Sequence, residues 1–297
     1  MTNAFHIVGS LLIVAALFDV FQTLFHPIGG AITDWLSCGL WRISRRLAMA
    51  FPRSVTYIGP TIFGLIVFCW FFFVALGFAL IYRPHMQAEF ALAPGLDPAR
   101  HHGFMDAMNV SLGALVTLGG DFNPKTKVLR LLMGMEGVLG FGLLTAGVSW
   151  LLSIYPVLEL RRSFAQKVFL LREAHRKTGV SPLQLEPEQS FQILFDAATE
   201  LTRLRNTLAQ FPVSYYFHPG EDQSSLAVII DYLTELSHQA IDSANPSAKL
   251  AGTMLKNSLR DYLALVADDF LHIRAANVVE IRHAYVEDQM AKRLQRF

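Results

Sequence analysis

The chain has 297 residues, 53% of them apolar and only 16% charged, with 23 Phe and a mean hydropathy of +0.36, a composition that excludes an ordinary soluble domain and points to the membrane. Lys and Arg number 25 against 24 Asp and Glu, a net charge of +1, so no global basic field exists to hold nucleic acid. The two cysteines, Cys38 and Cys69, are too few for a disulfide framework or a four-cysteine metal site, and both read as reduced and structural.

In chain order, the long uncharged runs all lie before residue 160, which places a boundary near Tyr155 and Pro156 between a membrane half and a soluble half. Asp19 is the only charged side chain from Met1 to Thr33, and residues 5–25, at about 1.5 Å each, can cross a hydrocarbon core of about 30 Å. A cleaved signal peptide needs a positive leading region that residues 1–6 lack, so this first span is expected to stay in the mature protein. Ile32, Trp35, Leu36, Leu40, Ile43 and Leu47 recur mostly at three and four residues, with Arg42, Arg45 and Arg46 mostly beside that stripe. This spacing predicts a helix at the inner membrane surface, with Trp35 and Trp41 at headgroup level. Residues 55–82 form an uncharged second span. Residues 131–158 form a third, whose only charge is Glu136, with Gly134, Gly137, Gly140, Gly142 and Gly147 at positions that let helices approach closely. Arg42, Arg45, Arg46 and Arg53 before span two, and Arg161, Arg162 and Lys167 after span three, place both flanks in the cytoplasm. The amino terminus and residues 83–130 are then outside and the carboxy-terminal half inside.

Between spans two and three, residues 104–117 suit a helix too short to cross the bilayer, followed by Leu118, Gly119, Gly120, Asp121, Phe122, Asn123 and Pro124. A short helix, a glycine turn and a return outline a re-entrant loop. Non-helical backbone at membrane depth persists only where it is buried in protein or lines water, and glycines allow successive carbonyls to face one axis and replace an ion's hydration shell. Span two, the short helix, Thr117-Leu118-Gly119-Gly120-Asp121 and the glycine-rich third span together resemble the two-helix pore unit of bacterial potassium channel family proteins. The resemblance covers roughly residues 56–156, and the leading span, with Asp19-Val20-Phe21 and His26-Pro27, is similar to a subgroup with one extra helix before the pore. It implies that Thr117, Leu118, Gly119, Gly120 and Asp121 form an ion-conducting filter. Thr117, Leu118 and Gly119 match its inner part, and Gly120 and Asp121 its closing pair. The family's aromatic residue between the two glycines is missing, so the filter is one residue short, and fewer carbonyl layers imply weaker discrimination of K+ from Na+. One chain supplies one loop, so a conducting assembly implies a homotetramer. Gly140 and Gly142 are candidates for a gating hinge or for close helix packing.

The intramembrane carboxylates are the remaining candidate residues. Asp19, costly in hydrocarbon by about 2.5 to 3.5 kcal/mol, is expected to face protein, water or a basic partner, the Arg42 to Arg46 cluster being the nearest. A hydrogen-bonded packing carboxyl is the plainer reading. Glu136 lies at the depth of the short helix and is expected to brace it by a hydrogen bond. Asp97, Asp106 and Asp121 could draw cations to the mouth, while the adjacent His101 and His102 read as solvated. Residues 157–297 carry three helical stripes, 191–208, 226–241 and 250–273, the last extending toward Phe297. They contain no G-x-G-x-x-G, P-loop, H-E-x-x-H or EF-hand pattern, and no convincing nucleophile and base pair.

The expected fold is all-α: three transmembrane helices, a re-entrant pore helix with a filter-like loop, and a cytoplasmic helical domain. The expected domains are 1–54, 55–156 and 157–297. The expected function is a tetrameric plasma-membrane channel passing K+, with Na+ as a second permeant ion, no other metal, no cofactor, no enzymatic activity and no nucleic-acid partner. The alternative is a non-conducting membrane sensor or interaction protein on a degenerate pore fold.

Overall fold

The three apolar runs form long helices. The structure, a computed structural model, describes residues 2–25, 30–48, 55–93, 102–217, 226–273 and 277–290, and among these the side chains of 42–48, 55, 56, 228 and 290 are not described. His26, Pro27, Arg53, Asp97 and His101 lie outside the described residues, as do the side chains of Arg42, Arg45 and Arg46. The described chain is nearly all helical. Helices α1 (Thr2–Phe25), α2 (Ala31–Ala48) and α3 (Val55–Tyr82) lead through a 3-10 turn (Arg83–His85) to the single turn α4 (Met86–Glu89) and strand β1 (Phe90–Leu92). Then come α5 (Phe104–Leu115), β2 (Phe122–Pro124), α6 (Lys127–Thr178), α7 (Pro187–Gln210), α8 (Leu226–Asp242), α9 (Pro246–Val266) and α10 (Val278–Met290). Three stretches are long and apolar enough to cross a membrane: Thr2–Phe25, Tyr57–Glu89 and Lys127–Thr178.

The chain divides into two compact units, Met1–Leu36 with Phe63–Leu152, and Ser37–Ile62 with Ser153–Phe297. In the first, α1 and α3 touch backbone to backbone. A methyl group on Gly9 would meet the Gly77 carbonyl, and one on Gly77 would lie 2.7 Å from the Gly9 carbonyl, so the two glycines set the helix spacing. Helices α3 and α6 meet through Trp150, whose ring lies 4.9 Å from Phe63 and 5.4 Å from Trp70. The connection between α3 and α6 contains a two-stranded antiparallel sheet. It pairs Phe90 with Pro124, Ala91 with Asn123 and Leu92 with Phe122. Flanking bonds from Lys125 N to the Glu89 carbonyl and from Ala93 N to the Asp121 carbonyl, both 2.8 Å, extend it. Phe90 and Phe122 are buried, so the segment that carries α5 leaves and returns through a closed neck.

Helix α6 runs unbroken through Tyr155 and Pro156 to Thr178. A proline removes one intrahelical hydrogen bond, and the run Leu158-Glu159-Leu160-Arg161-Arg162 that follows consists of good helix formers.

In the second unit α7, α8 and α9 bury most of the expected stripes, among them Leu201, Ile229, Ile230 and Leu255, while Leu250 and Met254 at the start of the third are exposed. Gly252 allows α9 to approach α8, since a Cβ there would lie 2.6 Å from that of Ala240. Asn245 caps α9 by accepting from Ser247 N at 3.0 Å, with Pro246 at the first helical position. The last stripe does not continue toward Phe297. It ends in a π-helical turn, Ala267–Leu271, and His272 with φ 53°; α10 is a separate helix.

The second unit is tied together at a 3-10 turn, Pro212–Tyr216. Arg161 of α6 donates to the Ser214 carbonyl at 2.9 Å and to the Phe217 carbonyl. Trp41 of α2 packs 5.4 Å from Tyr216. A side chain at Gly59 of α3 would strike the Phe217 ring at 2.6 Å. Tyr215 donates to the buried Asp288 at 2.6 Å, and the hydroxyls of Tyr262 and Tyr285 lie 3.2 Å apart.

Burial pushes the phenols of Tyr215, Tyr262 and Tyr285 above their ordinary range, with Asp288 adding to the effect at Tyr215. An unfolded tyrosine ionises near pH 10. Above that pH the unfolded state binds fewer protons than the folded one, so stability falls as pH rises. Thermal unfolding of the full-length protein in detergent, followed by circular dichroism, should show a midpoint that drops between pH 9 and pH 11, and a smaller drop in Tyr262→Phe.

Candidate functional site

Helix α5 begins at Phe104, where the Asp106 carboxyl accepts from the Gly103 amide at 2.8 Å. It ends earlier than residues 104–117 suggested. Thr117 takes a left-handed conformation with φ 57°, donating to the Ala114 carbonyl at 3.1 Å, while the Leu118 amide donates to the Gly113 carbonyl at 2.9 Å. These two bonds make a Schellman cap, a position normally given to glycine because a side chain opposes φ above zero. A β-branched threonine there is a rare placement. Gly119 follows at φ 67°, with its carbonyl close to the helix end, 2.6 Å from where a Gly113 Cβ would be.

Thr117, Leu118, Gly119, Gly120 and Asp121 are all exposed in the single chain, Leu118 by 83%. Their base is not. Ser111, Ala114 and Leu115 are buried, and α6 lies against them at Gly137, whose added Cβ would lie 3.3 Å from the Ala114 carbonyl, and at Gly140, whose added Cβ would overlap the Leu115 carbonyl. Gly140 is therefore a close-packing residue. Gly142 has nothing within 4 Å of its Cβ position and takes no part in that contact.

Glu136 is fully buried and gathers three helices. Tyr82 of α3 donates to its Oε2 at 2.8 Å, and its Oε1 is hydrogen-bonded to Ser111 of α5. The Ser111 hydroxyl also reaches the Ala75 carbonyl of α3 at 2.8 Å. Ser111 has a single proton and the carbonyl can only accept. A donor at position 136 would let every group in the cluster be satisfied.

Asp19 is buried as well, and no arginine is needed to account for it. Its carboxyl accepts from the Trp70 indole of α3 at 2.8 Å, from the Thr33 hydroxyl at 2.8 Å and from the Ile32 amide at 2.8 Å. Ile32 lies in the first turn of α2, where helix amides have no internal partner. Asp19 therefore caps α2 from another helix, with a negative charge at the positive end of its dipole. Gly30 fits beside it because any Cβ would overlap the carboxyl. Thr23 completes the turn, accepting from the Gly30 amide at 3.1 Å and donating to Thr33 at 3.0 Å. The sequence holds a weak sign of this arrangement in Thr23, Gly30 and Thr33 just after Asp19, but not which helix the carboxyl serves.

The fold and site together define a helical protein with three candidate spans and an exposed polar loop on a buried, carboxyl-braced short helix. No protein-family model and no solved structure matches the chain. It is similar to a protein of Bacillus subtilis (strain 168) described as "Uncharacterized membrane protein YdjJ", with 27% identity over 284 residues that cover 92% of this chain and 81% of the relative.

Two substitution pairs test the braces. Glu136→Ala leaves the buried Tyr82 hydroxyl without its acceptor, at about 1–3 kcal/mol for a buried group, and should lower the thermal midpoint. Glu136→Gln, whose amide can donate to Ser111 and accept from Tyr82, should stay close to the parent. For Asp19, Ala removes the acceptor of three donors and Asn keeps one oxygen, so thermal stability in detergent should fall in the order parent, Asn, Ala.

Proposed function

We propose that the chain is the subunit of a homotetrameric cation channel in the plasma membrane that passes K+ passively, with Na+ as a second permeant ion. The observation that carries this reading is the exposure of Thr117 through Asp121 on a base that is buried and braced. Among the described residues this glycine-bearing loop at the end of a short helix stands exposed, and four copies around an axis would bring four such loops together. The resemblance of residues 56–156 to potassium channel pore units supports the same reading, as do the three apolar helices and the similarity to a protein named as a membrane protein. In this reading α5 is the re-entrant pore helix, the amino terminus is outside, residues 157–297 are cytoplasmic, and the bilayer covers the exposed apolar faces of α1 and α3. The shortened filter offers fewer carbonyl layers and so discriminates less between K+ and Na+.

A second reading has its own observation. The amides of Thr117 and Leu118 are spent on capping α5, and the Gly119 carbonyl lies against the helix end. Such a loop favours a closed pore fold that acts as a membrane sensor or interaction protein.

Purified protein in liposomes separates the two readings. Potassium flux above sodium flux, lost in Gly119→Ala, with a particle mass of four chains, is the expected result. Equal fluxes lost in the same variant would mean a non-selective pore, and a folded tetramer that passes neither ion across voltage and pH would leave the closed reading.

A further inference from the structure

The Nε2 atoms of His6, near the start of α1, and His85, in the turn after α3, lie 3.1 Å apart. Their ring planes are within 4° of parallel and the ring centroids are 5.2 Å apart. The excess of the centroid separation over the nitrogen separation is what two ring radii take up, so the imidazoles meet head to head in nearly one plane. That geometry is an N–H···N hydrogen bond. A metal ion midway would sit about half of 3.1 Å from each nitrogen, well inside a Zn–N bond of about 2.0 Å, and the described residues hold no cluster of three metal-binding side chains.

The bond fixes where protons can be. Glu89, one helical turn after His85, lies 2.9 Å from its Nδ1, and a carboxylate can only accept, so Nδ1 carries a hydrogen. A neutral His85 then presents a bare Nε2, and the proton between the rings belongs to His6. One further proton fits. It enters at Nδ1 of His6 while the shared proton crosses to Nε2 of His85, leaving an imidazolium beside Glu89 and the N–H···N bond intact. A second added proton puts hydrogen on both facing nitrogens, and the contact must break.

The surrounding charged and titratable groups do not replace it. Arg83 heads the same turn, Lys125 donates to the Ala88 carbonyl at 3.2 Å, Tyr82 is committed to Glu136, and Glu89 is held on its other oxygen by Thr126 at 3.2 Å.

We propose that the proton shared by His6 and His85 latches the start of α1 to the end of α3, that the pair takes up one further proton with the latch intact, and that the next proton added releases it. This inference does not depend on whether the protein conducts ions. Both rings are partly exposed, so protons can reach them, and histidine as a residue type changes charge between about pH 5 and pH 8.

The test uses the full-length protein in lipid nanodiscs. With 15N-labelled histidine, the spectrum at pH 8 should show a scalar coupling between the two Nε2 atoms, assigned by its loss in His6→Gln and in His85→Gln. Nitroxide labels on Asn3→Cys and Gln87→Cys, with Cys38 and Cys69 changed to Ala, should report a distance that holds at pH 8 and lengthens toward pH 5. In His6→Gln the distance should not move, because an amide can turn either its oxygen or its nitrogen to His85. Absence of the coupling, a distance in the parent that ignores pH, or the same lengthening in His6→Gln would each overturn the proposal.

Discussion

In an apolar surround a carboxyl group must find its hydrogen bonds within the protein, and Asp19 and Glu136 each do so by drawing three segments together. Asp19, on α1, takes donors from the first turn of α2 and from Trp70 on α3. Glu136 takes Tyr82 from α3 and Ser111 from α5. Helix α3 is common to both. Its Trp70 and Tyr82 hold the two carboxyls at different levels, so α1, α2, α5 and α6 are placed largely by reference to one helix. The cost of an unmet polar group makes these contacts specific in a way that apolar packing is not.

The loop after α5 follows from that placement. Ser111 pins the middle of the short helix, Gly137 and Gly140 admit its last turn against α6, and the chain must then leave the helix at once to reach β2. It does so through Thr117 in a left-handed conformation, a side chain poorly suited to the angle. The Schellman bonds and the buried base hold it there. Among the described residues of the first unit Thr117 is the one non-glycine residue at positive φ, so local preference and fold disagree there.

What could be read from the sequence follows the length and strength of each pattern. The three apolar runs and the α2 stripe are long, and their spacing alone fixes the helices. Glu136 was legible because an isolated carboxyl at the depth of a short helix has few other uses. The two strands, three residues each, leave no alternation to see. Thr117 reads as helix because β-branched residues seldom turn left-handed. Asp19's role as a cap depends on donors across a turn and on another helix, and the meeting of His6 and His85 on positions 79 apart; no local signal carries either. Gly140 and Gly142 look alike in sequence, and only the neighbour at Leu115 separates them.

The two-stranded neck has a consequence for how this chain can vary over time. Its pairing runs through backbone groups, so most side chains in it can change while the ladder stays. Its register cannot. A residue gained or lost within the strands would turn Phe90 or Phe122 from the buried face to the open one, and carry α5 and its loop out of line with Glu136. Relatives that keep this architecture should therefore differ freely in what occupies the neck, yet agree on the number of residues from β2 to the glutamate of α6.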